Sequence, residues 1–410
     1  MRRAIQTGVA DRAARAAPWL AMILLAGQAP PAAGQCRYEV TWVGPIQGPF
    51  QLVWGEPTGL NNRGQIVGYF VIGEGERGFV WSQEDGLTLL PMPPGAYAVS
   101  PADINDAGQI VGTVNSAGWA FLWDPEDEEY TALGIPSGGT YSNAYAINEQ
   151  GQVVGVWGNN ISGPNHGFLW EDGVMTDLGP MLGTEDSNAA DIAEDSAIAG
   201  AMGSSPVADF RAFVLRPHLP LLAPPLPPGA ETSVASAISE SGILTGDGGA
   251  RDAEGRRFFR GFVWISGVFQ VIEPLDGFRN SSTDGVNARG EVIGRSSLNN
   301  SRGFIWRDGV RTELSSLVPE DHQVRHVAAI DEHGRIAAHV YAPPLGRGAA
   351  LVTPITTPAD LNIDCRVDLQ DLLLLLLDFG CAGGDCDGDV NQDGQTSLPD
   401  LAILLTDWNP

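Results

Sequence analysis

The chain has 410 residues and a formal net charge of −27, from 50 acidic and 23 basic side chains, and such a charge repels phosphates and argues against nucleic-acid binding. Hydrophobic residues make up 43% of the chain, which is enough for a sizeable core and argues against global disorder. The 52 glycines and 29 prolines are typical of a turn-rich all-β protein.

Residues 1–34 have the pattern of a secretory signal peptide. Arginines at positions 2, 3, 12 and 15 precede the apolar stretch 17–27, which is too short for a comfortable membrane span. Small residues at 32–34 offer a cleavage site, so we expect Gln35 to begin the mature chain. The sequence predicts a secreted, extracellular or cell-surface protein with no membrane span after cleavage.

Export permits disulfide bonds, which form and persist in oxidising compartments. The chain has four cysteines, and three of them lie in the last fifty residues. Four cysteines allow three pairings, and the sequence does not choose among them. The cysteines are Cys36, Cys365, Cys381 and Cys386.

A repeat fills residues 35–353. Each copy has an apolar-Asn-x-x-Gly turn or a degraded form of it, an apolar run ending in glycine, and an aromatic strand such as residues 167–170 (GFLW). An Asp-Gly turn, as at residues 172–173, is a strong hairpin signal. The copies are 44, 43, 45, 46, 48 and 44 residues apart. The reference position falls at Gly68, Gly112, Gly155, Gly200, Gly246, Gly294 and Ala338.

This period, with short strands and a Gly/aromatic signature, predicts an all-β fold, a β-propeller of seven blades. Residues 38–43 look like the last strand of a repeat, whereas the seventh copy lacks that strand. We therefore expect the N-terminal strand to complete the last blade. Cys36 would then lie near the start of the tail and could bridge to one of its cysteines. The alternative, an open β-solenoid, needs capping repeats that the sequence does not contain.

The motif at residues 166–170 (HGFLW) resembles the HAF-type extracellular repeats of bacterial exported proteins, which are named for a His-Ala-Phe stretch. Most other copies carry arginine in place of the histidine. The resemblance covers residues 37–353 and implies location and fold rather than an activity. The arginines are Arg77, Arg211, Arg260 and Arg302.

The repeat region contains no Gly-x-Ser-x-Gly, His-Glu-x-x-His or phosphate-loop motif. The closing repeat has a histidine cluster, which we considered as a metal or acid/base site. We favour solvated loop histidines, because the cluster falls across turn and strand. The Phe-x-Trp aromatics, which could line a sugar-binding rim, are expected to form core between blades. The histidines are His322, His326, His333 and His339.

The composition changes after a linker at residues 354–358, and residues 359–410 are predicted to form a small helical domain that binds two calcium ions. Residues 360–371 and 389–400 share the carboxylate spacing of a calcium loop, offset by 29 residues. Leucine-rich helices at 372–379 and 401–408 follow, and we expect the six leucines at 372–377 to pack against the sister helix. The predicted ligands are Asp360, Asn362, Asp364, the Arg366 carbonyl, Asp368 (through water) and Asp371 in loop one, and Asp389, Asn391, Asp393, the Gln395 carbonyl and Asp400 in loop two.

This tail resembles a type I dockerin, a pair of half EF-hands, and also the GC-type dockerin-like domains of some bacterial exported proteins. The resemblance implies calcium as cofactor and a cohesin-like or cell-surface anchoring protein as partner. Two features depart from the family. Cys365 stands where the turn prefers glycine, and the pairs Leu369-Gln370 and Leu398-Pro399 replace the residues that help select a cellulosomal cohesin.

We therefore predict an exported binding or structural propeller, not an enzyme, that is tethered through a calcium-dependent docking tail. The alternative is an extracellular polysaccharide-acting enzyme, a hydrolase or lyase, since dockerins usually carry such cargo. Carbohydrate is a candidate ligand under both interpretations. Carboxylates that converge at a mouth of the ring would favour the enzyme.

Overall fold

The structure is a computed structural model that describes residues 36–44, 55–72, 75–115, 118–159, 164–204, 209–362, 365–383 and 386–408. The predicted signal peptide and the predicted ligand Asp364 lie outside these residues. The repeats form seven antiparallel sheets, here called blades I to VII, that contact one another around a ring. The predicted seven-bladed propeller is confirmed.

Blades I to VI are each built from strands that are consecutive in the chain, and the first strand of every blade lines the centre of the ring. Blade IV has three strands, and a single bridge from Val214 to Leu222 stands in place of a fourth. The blades are I, β2 (Gly55–Leu60), β3 (Ile66–Ile72), β4 (Gly75–Ser82) and β5 (Gly86–Leu89); II, β6 (Val99–Ile104), β7 (Ile110–Val114), β8 (Trp119–Asp124) and β9 (Glu129–Ala132); III, β10 (Tyr141–Ile147), β11 (Val153–Gly158), β12 (Asn165–Glu171) and β13 (Val174–Asp177); IV, β14 (Asp186–Ile192), β15 (Ile198–Gly203) and β16 (Arg211–Leu215); V, β17 (Thr232–Ile238), β18 (Leu244–Arg251), β19 (Arg257–Ile265) and β20 (Val268–Ile272); VI, β21 (Asn280–Val286), β22 (Val292–Ser297), β23 (Ser301–Arg307) and β24 (Val310–Glu313); and VII, β25 (Gln323–Ile330), β26 (Ile336–Ala342), β27 (Gly346–Pro354) and β1 (Tyr38–Trp42). Short helices lie outside the blades at Gly179–Leu182 (α1) and Leu314–Ser316, the latter a 3₁₀ turn.

The ring closes through its N-terminal strand, as the sequence predicts. Strand β1 is the outermost strand of blade VII and pairs antiparallel with β27, with Tyr38 opposite Pro354 and Trp42 opposite Ala350. The Cys36–Cys365 disulfide holds the start of this strand against the tail, so the predicted bridge from Cys36 is also present. Both ends of the propeller are thereby fixed in one blade.

The repeat glycine is explained by a β-bulge in the strand beside it. In blades I to VI the first strand shifts register opposite this glycine, as between Ala144 and Ala146 in blade III. A Cβ on Gly155 would lie 2.0 Å from the Asn143 carbonyl oxygen, so only glycine fits. Blade VII carries Ala338 there, and its first strand has a second bulge at Arg325. We attribute the tolerance of Ala338 to this additional bulge.

The aromatic strand of each repeat supplies the core, as the sequence predicts. The third strands of blades I to VI each contribute one fully buried phenylalanine, and each Phe packs in a cluster with aliphatic side chains, several of them from the neighbouring blade. Burial of such a ring contributes about 2–3 kcal/mol. The rings are those of Phe79, Phe121, Phe168, Phe213, Phe262 and Phe304.

The tail contains two helices, α2 (Leu369–Asp378) and α3 (Leu398–Thr406), which contact each other. Both begin three residues earlier than predicted. Asp368 with Asp371 forms a capping box on α2, as Ser397 with Asp400 does on α3, so the last predicted loop residues already form the first helical turn. Within the described residues no helix is long and apolar enough to cross a bilayer.

Candidate functional sites

The central channel of the propeller is a cavity of about 360 Å³ lined by the first strands of all seven blades. Nine carboxylates are among the described residues that line it, and no lysine or arginine is. We call the end of the channel at the turns after these first strands the turn mouth, and the opposite end the hairpin mouth. The two ends differ in chemistry.

At the turn mouth a ring of hydrogen bonds joins each blade to the next. In most blades, the side chain of the residue that follows the motif Asn accepts a hydrogen bond. The donor is the backbone N–H of the corresponding residue in the preceding blade. Blades V and VI are joined differently, because Ser241 Oγ donates to Ala288 O at 3.0 Å. Sequence reasoning missed these residues, although an acidic residue recurs at that position. The bonds run from Asn62 N to Asp106 Oδ1, Asp106 N to Glu149 Oε1, Glu149 N to Glu194 Oε1, Glu194 N to Glu240 Oε1, Ala288 N to Glu332 Oε1 and Glu332 N to Asn62 Oδ1, at 2.7 to 3.0 Å.

The motif Asn itself ties the turn together. Asn61 Oδ1 accepts the N–H groups of Arg63 and Gln65, and its Nδ2 donates to Asn105 O of the next blade at 2.9 Å. Asn105, Asn148 and Asn287 make the same bond to their neighbours. The polar groups of this mouth are therefore engaged in holding the blades together.

Deeper in the channel, Asp103 and Asp191 occupy equivalent positions in blades II and IV. Each accepts a backbone N–H from the first strand of the following blade, Ile147 for Asp103 at 3.1 Å and Ile238 for Asp191 at 2.8 Å. Burial raises the pKa of Asp103 to about 7 and raises the pKa of Asp191 as well, against the lowering effect of these bonds. Both carboxyls thus serve as structural acceptors at an electrostatic cost.

At the hairpin mouth, two carboxylates and an arginine converge between blades V and VI. Asp247 Oδ1 accepts the backbone N–H of Thr283 at 3.0 Å. The residue after Thr283 is Asp284, which forms an ion pair with Arg295 Nη1 at 3.1 Å. Burial raises the pKa of Asp247 to about 7 and that of Asp284 to about 6, even though Arg295 opposes both shifts. The Oδ2 atom of Asp284 has no hydrogen-bond partner and is buried. Sequence reasoning named neither carboxylate.

Two histidines of the closing blade lie beside this group. His326 and His339 face each other across β25 and β26, with ring centroids 5.9 Å apart, and His339 Nε2 is 3.9 Å from Glu56 Oε1 of blade I. The expectation of solvated loop histidines is wrong for His339, which lies on a strand and is only 5% exposed, whereas His326 lies on a strand but is exposed. The additional bulge in β25 places Arg325 nearby, where it lies over the Tyr341 ring.

The pKa values of both histidines are lowered. Burial has the largest effect, bringing the pKa of His339 to about 4, with contributions from His326, Arg347 and Arg325. For His326 the arginines at 295 and 325 add to the effect of burial. This part of the mouth thus has a positive local potential in a strongly acidic protein.

In the second tail loop, the carboxylates are arranged around the loop by its own N–H groups. Asp389 accepts from Asp393 and Gly394, and Asp400 accepts from Asn391 and Ser397, at 2.7 to 3.0 Å. Gly394 has the left-handed backbone conformation that the sharp turn needs, with φ of 88°. Asp393 Oδ1 accepts from the N–H of Gln395, the residue whose carbonyl is a predicted ligand.

The first loop repeats this pattern 29 residues earlier. Asp371 accepts from Leu361, Asn362 and Asp368, and Asp360 accepts from Cys365, the residue that matches Gly394. Cys365 adopts φ of 66° despite its side chain, and that side chain is held by the disulfide to Cys36. The predicted site residues Arg366 and Asp368 lie in this loop as well.

The leucine run of the tail is largely exposed, which contradicts the expectation that it packs against the sister helix. Leu375 is buried with Leu404, 29 residues later, whereas Leu373 and Leu377 are 52% and 84% exposed. Two short helices that share one small core can bury only one face each. The exposed apolar side chains of this leucine surface, as we call it, are those of Leu369, Leu373, Leu374, Leu376, Leu377, Leu398 and Leu405.

One further group in the tail contains metal-ligand atom types. The carboxylate of Asp378 and the sulfurs of Cys381 and Cys386 lie within 4.8 Å of one another. The two sulfurs form a disulfide, so they are available as metal ligands only after reduction. Asp378 Oδ2 accepts the Gly388 N–H at 2.8 Å and a hydrogen bond from Thr396, which accounts for its position. The two disulfides of the chain fit an extracellular protein.

No protein-family model and no curated protein matches the chain. Solved propellers match its fold. The β-propeller domain of the Trilobed protease from Pyrococcus furiosus, described as having an open velcro topology, aligns with a TM-score of 0.50 and 9% identity over 75% of this chain and 96% of that one. A puromycin-hydrolysing peptidase of Mycobacterium tuberculosis aligns at 0.49 and 12%, over 78% of this chain and about half of its own length (52%). A virginiamycin B lyase from Staphylococcus aureus aligns at 0.45 and 10%, over 78% and 100%.

These likenesses show the fold alone. Unlike the open topology described for the Pyrococcus domain, this chain pairs its first strand with its last. The resemblances to HAF-type repeats and to dockerins stay predictions.

Proposed function

We propose that the protein is an exported propeller that acts as a binding or structural module and is tethered by a calcium-dependent, dockerin-like tail to a cohesin-like or cell-surface protein. The observation that carries the proposal is the twofold repetition in the tail. The two loops are 29 residues apart, and in each loop carboxylates at equivalent positions accept hydrogen bonds from equivalent backbone N–H groups. Leucines at equivalent positions of the two helices form the core that the helices share.

Calcium fits this donor set. It takes six to eight oxygen ligands in a flexible geometry, and EF-hand-type loops supply them at positions 1, 3, 5, 7 and 12. A carboxylate oxygen has two lone pairs, so an oxygen that accepts an N–H can also bind a cation. In loop two, Asp389, Asn391, Asp393 and Asp400 would hold the ion with the Gln395 carbonyl, and loop one offers the corresponding residues.

The leucine surface supports the docking role. Large exposed apolar areas on soluble domains mark interaction sites, and Leu377 is the most exposed large hydrophobic side chain among the described residues, at 84%. Because the surface belongs to the helices that follow the loops, loss of calcium would disorder the docking face. The tail's partner should therefore bind only when calcium is present.

Calorimetric titration of calcium into the chelator-treated full chain tests the first step. We expect two ions to bind, and the pair of changes Asp389→Asn and Asp393→Asn to leave one. The matched control is Asp387→Asn, an exposed carboxylate just outside the loop. Hydrogen exchange of residues 360–408 should slow when calcium is added. An unchanged exchange pattern together with no heat of binding would refute the calcium site.

Capture of the partner from the native surface fraction tests the second step. Wild-type protein should retain a partner in calcium and release it in chelator, and Leu377→Glu should abolish retention. Leu345→Glu is the control, because Leu345 is a comparably apolar residue on the propeller and is 58% exposed. Retention that survives chelator or the Leu377 change would contradict docking through the tail.

A second candidate is the polysaccharide-acting enzyme, favoured by the carboxylates Asp247 and Asp284 at the hairpin mouth. Their raised pKa values and the neighbouring His326 are what acid/base chemistry near neutral pH requires. Release of sugar fragments from a polysaccharide panel, lost in Asp284→Asn but kept in Asp106→Asn at the turn mouth, would support it. An absence of product from every polysaccharide would leave the binding role.

A further inference from the structure

The side chains of the hairpin mouth change character around the ring. Two positions per blade set this character, the residue after the repeat glycine and the first-strand residue opposite it. In blades II to IV these residues are uncharged, whereas blades VI and VII place Arg295, His326 and His339 there. The pairs, from blade I to blade VII, are Tyr69 with Glu56, Thr113 with Ser100, Val156 with Asn143, Ala201 with Asn188, Asp247 with Val234, Arg295 with Ser282, and His339 with His326.

A cavity of about 550 Å³ opens beside these residues. Arg295 and His326 line it together with the hairpin between β22 and β23, which contributes two serines, Leu298 and two asparagines. We call it the Arg295 pocket. Its lining combines one permanent positive charge with amide and hydroxyl groups, and no carboxylate is among the described residues that line it. The hairpin residues are Ser297, Leu298, Asn299, Asn300 and Ser301.

Arg295 is suited to bind an anion. Its side chain is 40% exposed, and the ion pair with Asp284 runs through Nη1, whereas a guanidinium has five N–H donors in a planar fork. Such a fork binds carboxylates and phosphates in pairs of parallel hydrogen bonds. His326, an exposed residue, lines the same pocket.

The surrounding charges also favour an anion. Arg295 and Arg325 both disfavour a proton on His326, so the local field is positive although the chain carries −27 overall. Bound negative charge would be attracted by this field and would in turn favour the protonated imidazole. The facing acidic groups are Asp284, which is paired with Arg295, Asp247 beside them, and Glu56, whose Oε1 is 3.9 Å from His339 Nε2.

We propose that the Arg295 pocket binds an oxyanion carried by a small hydroxylated ligand, either the carboxylate of a sugar acid or the phosphate of a sugar phosphate. Arg295 pairs with the oxyanion, His326 adds a second hydrogen bond, and the side chains of Asn299 and Asn300 bind ligand hydroxyls. The inference rests on the propeller's proposed role as a binding module and names its ligand class.

Calorimetry on the full chain with galacturonic acid, glucose 6-phosphate, galactose and inorganic phosphate, all in chelator, tests the proposal. One or both of the sugar anions should bind, and the stronger identifies the source of the oxyanion. Arg295→Gln should weaken that binding about tenfold or more, as expected for loss of a charge-assisted pair, and His326→Ala less. Neutral galactose should not bind.

Arg211→Gln is the matched control, because Arg211 is an exposed arginine at the start of a third strand in blade IV and so lies on the same face. It should leave affinity unchanged. A second readout is the titration of the His326 ring by NMR, where the bound anion should raise its pKa. Affinity that is equal in wild type and Arg295→Gln, or no binding by either sugar anion at millimolar concentration, would overturn the proposal. Calcium titration of the tail is unaffected by these outcomes.

Discussion

The two mouths of the propeller channel are built from the same repeat, but residues at equivalent positions are more regular from blade to blade at the turn mouth than at the hairpin mouth. At the turn mouth the matching residue of nearly every blade does the same thing, accepting an N–H from the blade before it. At the hairpin mouth, blades II to IV carry uncharged residues, and blades VI and VII carry Arg295, His326 and His339. Residues that follow the period hold the ring together, whereas two of the residues that break it, Arg295 and His326, line the Arg295 pocket.

The acidic channel is a weak candidate for a cation site. Its carboxylates are many, but each of those at the turn mouth has a backbone partner that accounts for its place. The raised pKa values of Glu149 and Glu240, caused first by burial and opposed by those bonds, fit groups that are kept as acceptors rather than as ligands.

The largest expected effect comes from a position that follows the period. Gly155→Ala would place a Cβ 2.0 Å from Asn143 O and 2.9 Å from Ala144 Cα, both backbone atoms that cannot move cheaply. We expect a loss of about 3 kcal/mol or more in the free energy of unfolding, measured by urea denaturation.

Two variants sharpen that measurement. His326→Ala, at a position that departs from the period, should cost under about 1 kcal/mol because its ring is exposed. Gly173→Asn sits in a left-handed turn with φ of 82° and nothing near its Cβ, so it should also be nearly neutral. Equal losses at Gly155 and His326 would remove the distinction between positions that follow the period and positions that depart from it.

Much of the fold was predictable because it follows a period. The glycine spacing, the hairpin turns and the missing strand of the seventh copy were enough to predict seven blades and closure by residues 38–43. The sites were less predictable. Asp247, Asp284 and Arg295 come together only through strand register and a bulge, and these cannot be read from spacing. The two matching loops of the tail were predictable as a pattern, whereas the exposure of Leu377 depended on how few residues the small core can cover.

A pH-dependent effect is expected in the channel interior. Burial raises the pKa of Asp103 to about 7, so the folded state holds this proton where the unfolded state, with a pKa near 3.8, has lost it. The contribution of Asp103 to stability is therefore complete below about pH 4 and is lost as the pH rises through about 7. Asp103→Asn should stabilise the protein at pH 8, by on the order of a few kcal/mol, and by little at pH 4.

Thermal or urea unfolding of the two proteins at both pH values measures this difference. Asp106→Asn is the control, because Asp106 accepts the Asn62 N–H at the solvent-facing ring. A wild-type protein as stable at pH 8 as the Asp103→Asn variant would mean that Asp103 is ionised at no cost, for example because a cation occupies the channel.

The smallest effect separates structural from ligand roles at the turn mouth itself. Glu149→Ala removes the acceptor for the Asp106 N–H at 2.7 Å and should cost about 1 kcal/mol, whereas Glu149→Gln keeps an oxygen there and should cost almost nothing. Loss of the charge also relieves repulsion from Asp106 and Glu194, which favours the Gln variant further. A cation site predicts instead that Glu149→Gln also loses stability in divalent salt, since a neutral amide binds such ions far less well than a carboxylate. Unfolding measured in calcium and in chelator therefore tells whether the ring of hydrogen bonds at the turn mouth only stabilises the contacts between blades or also binds a cation.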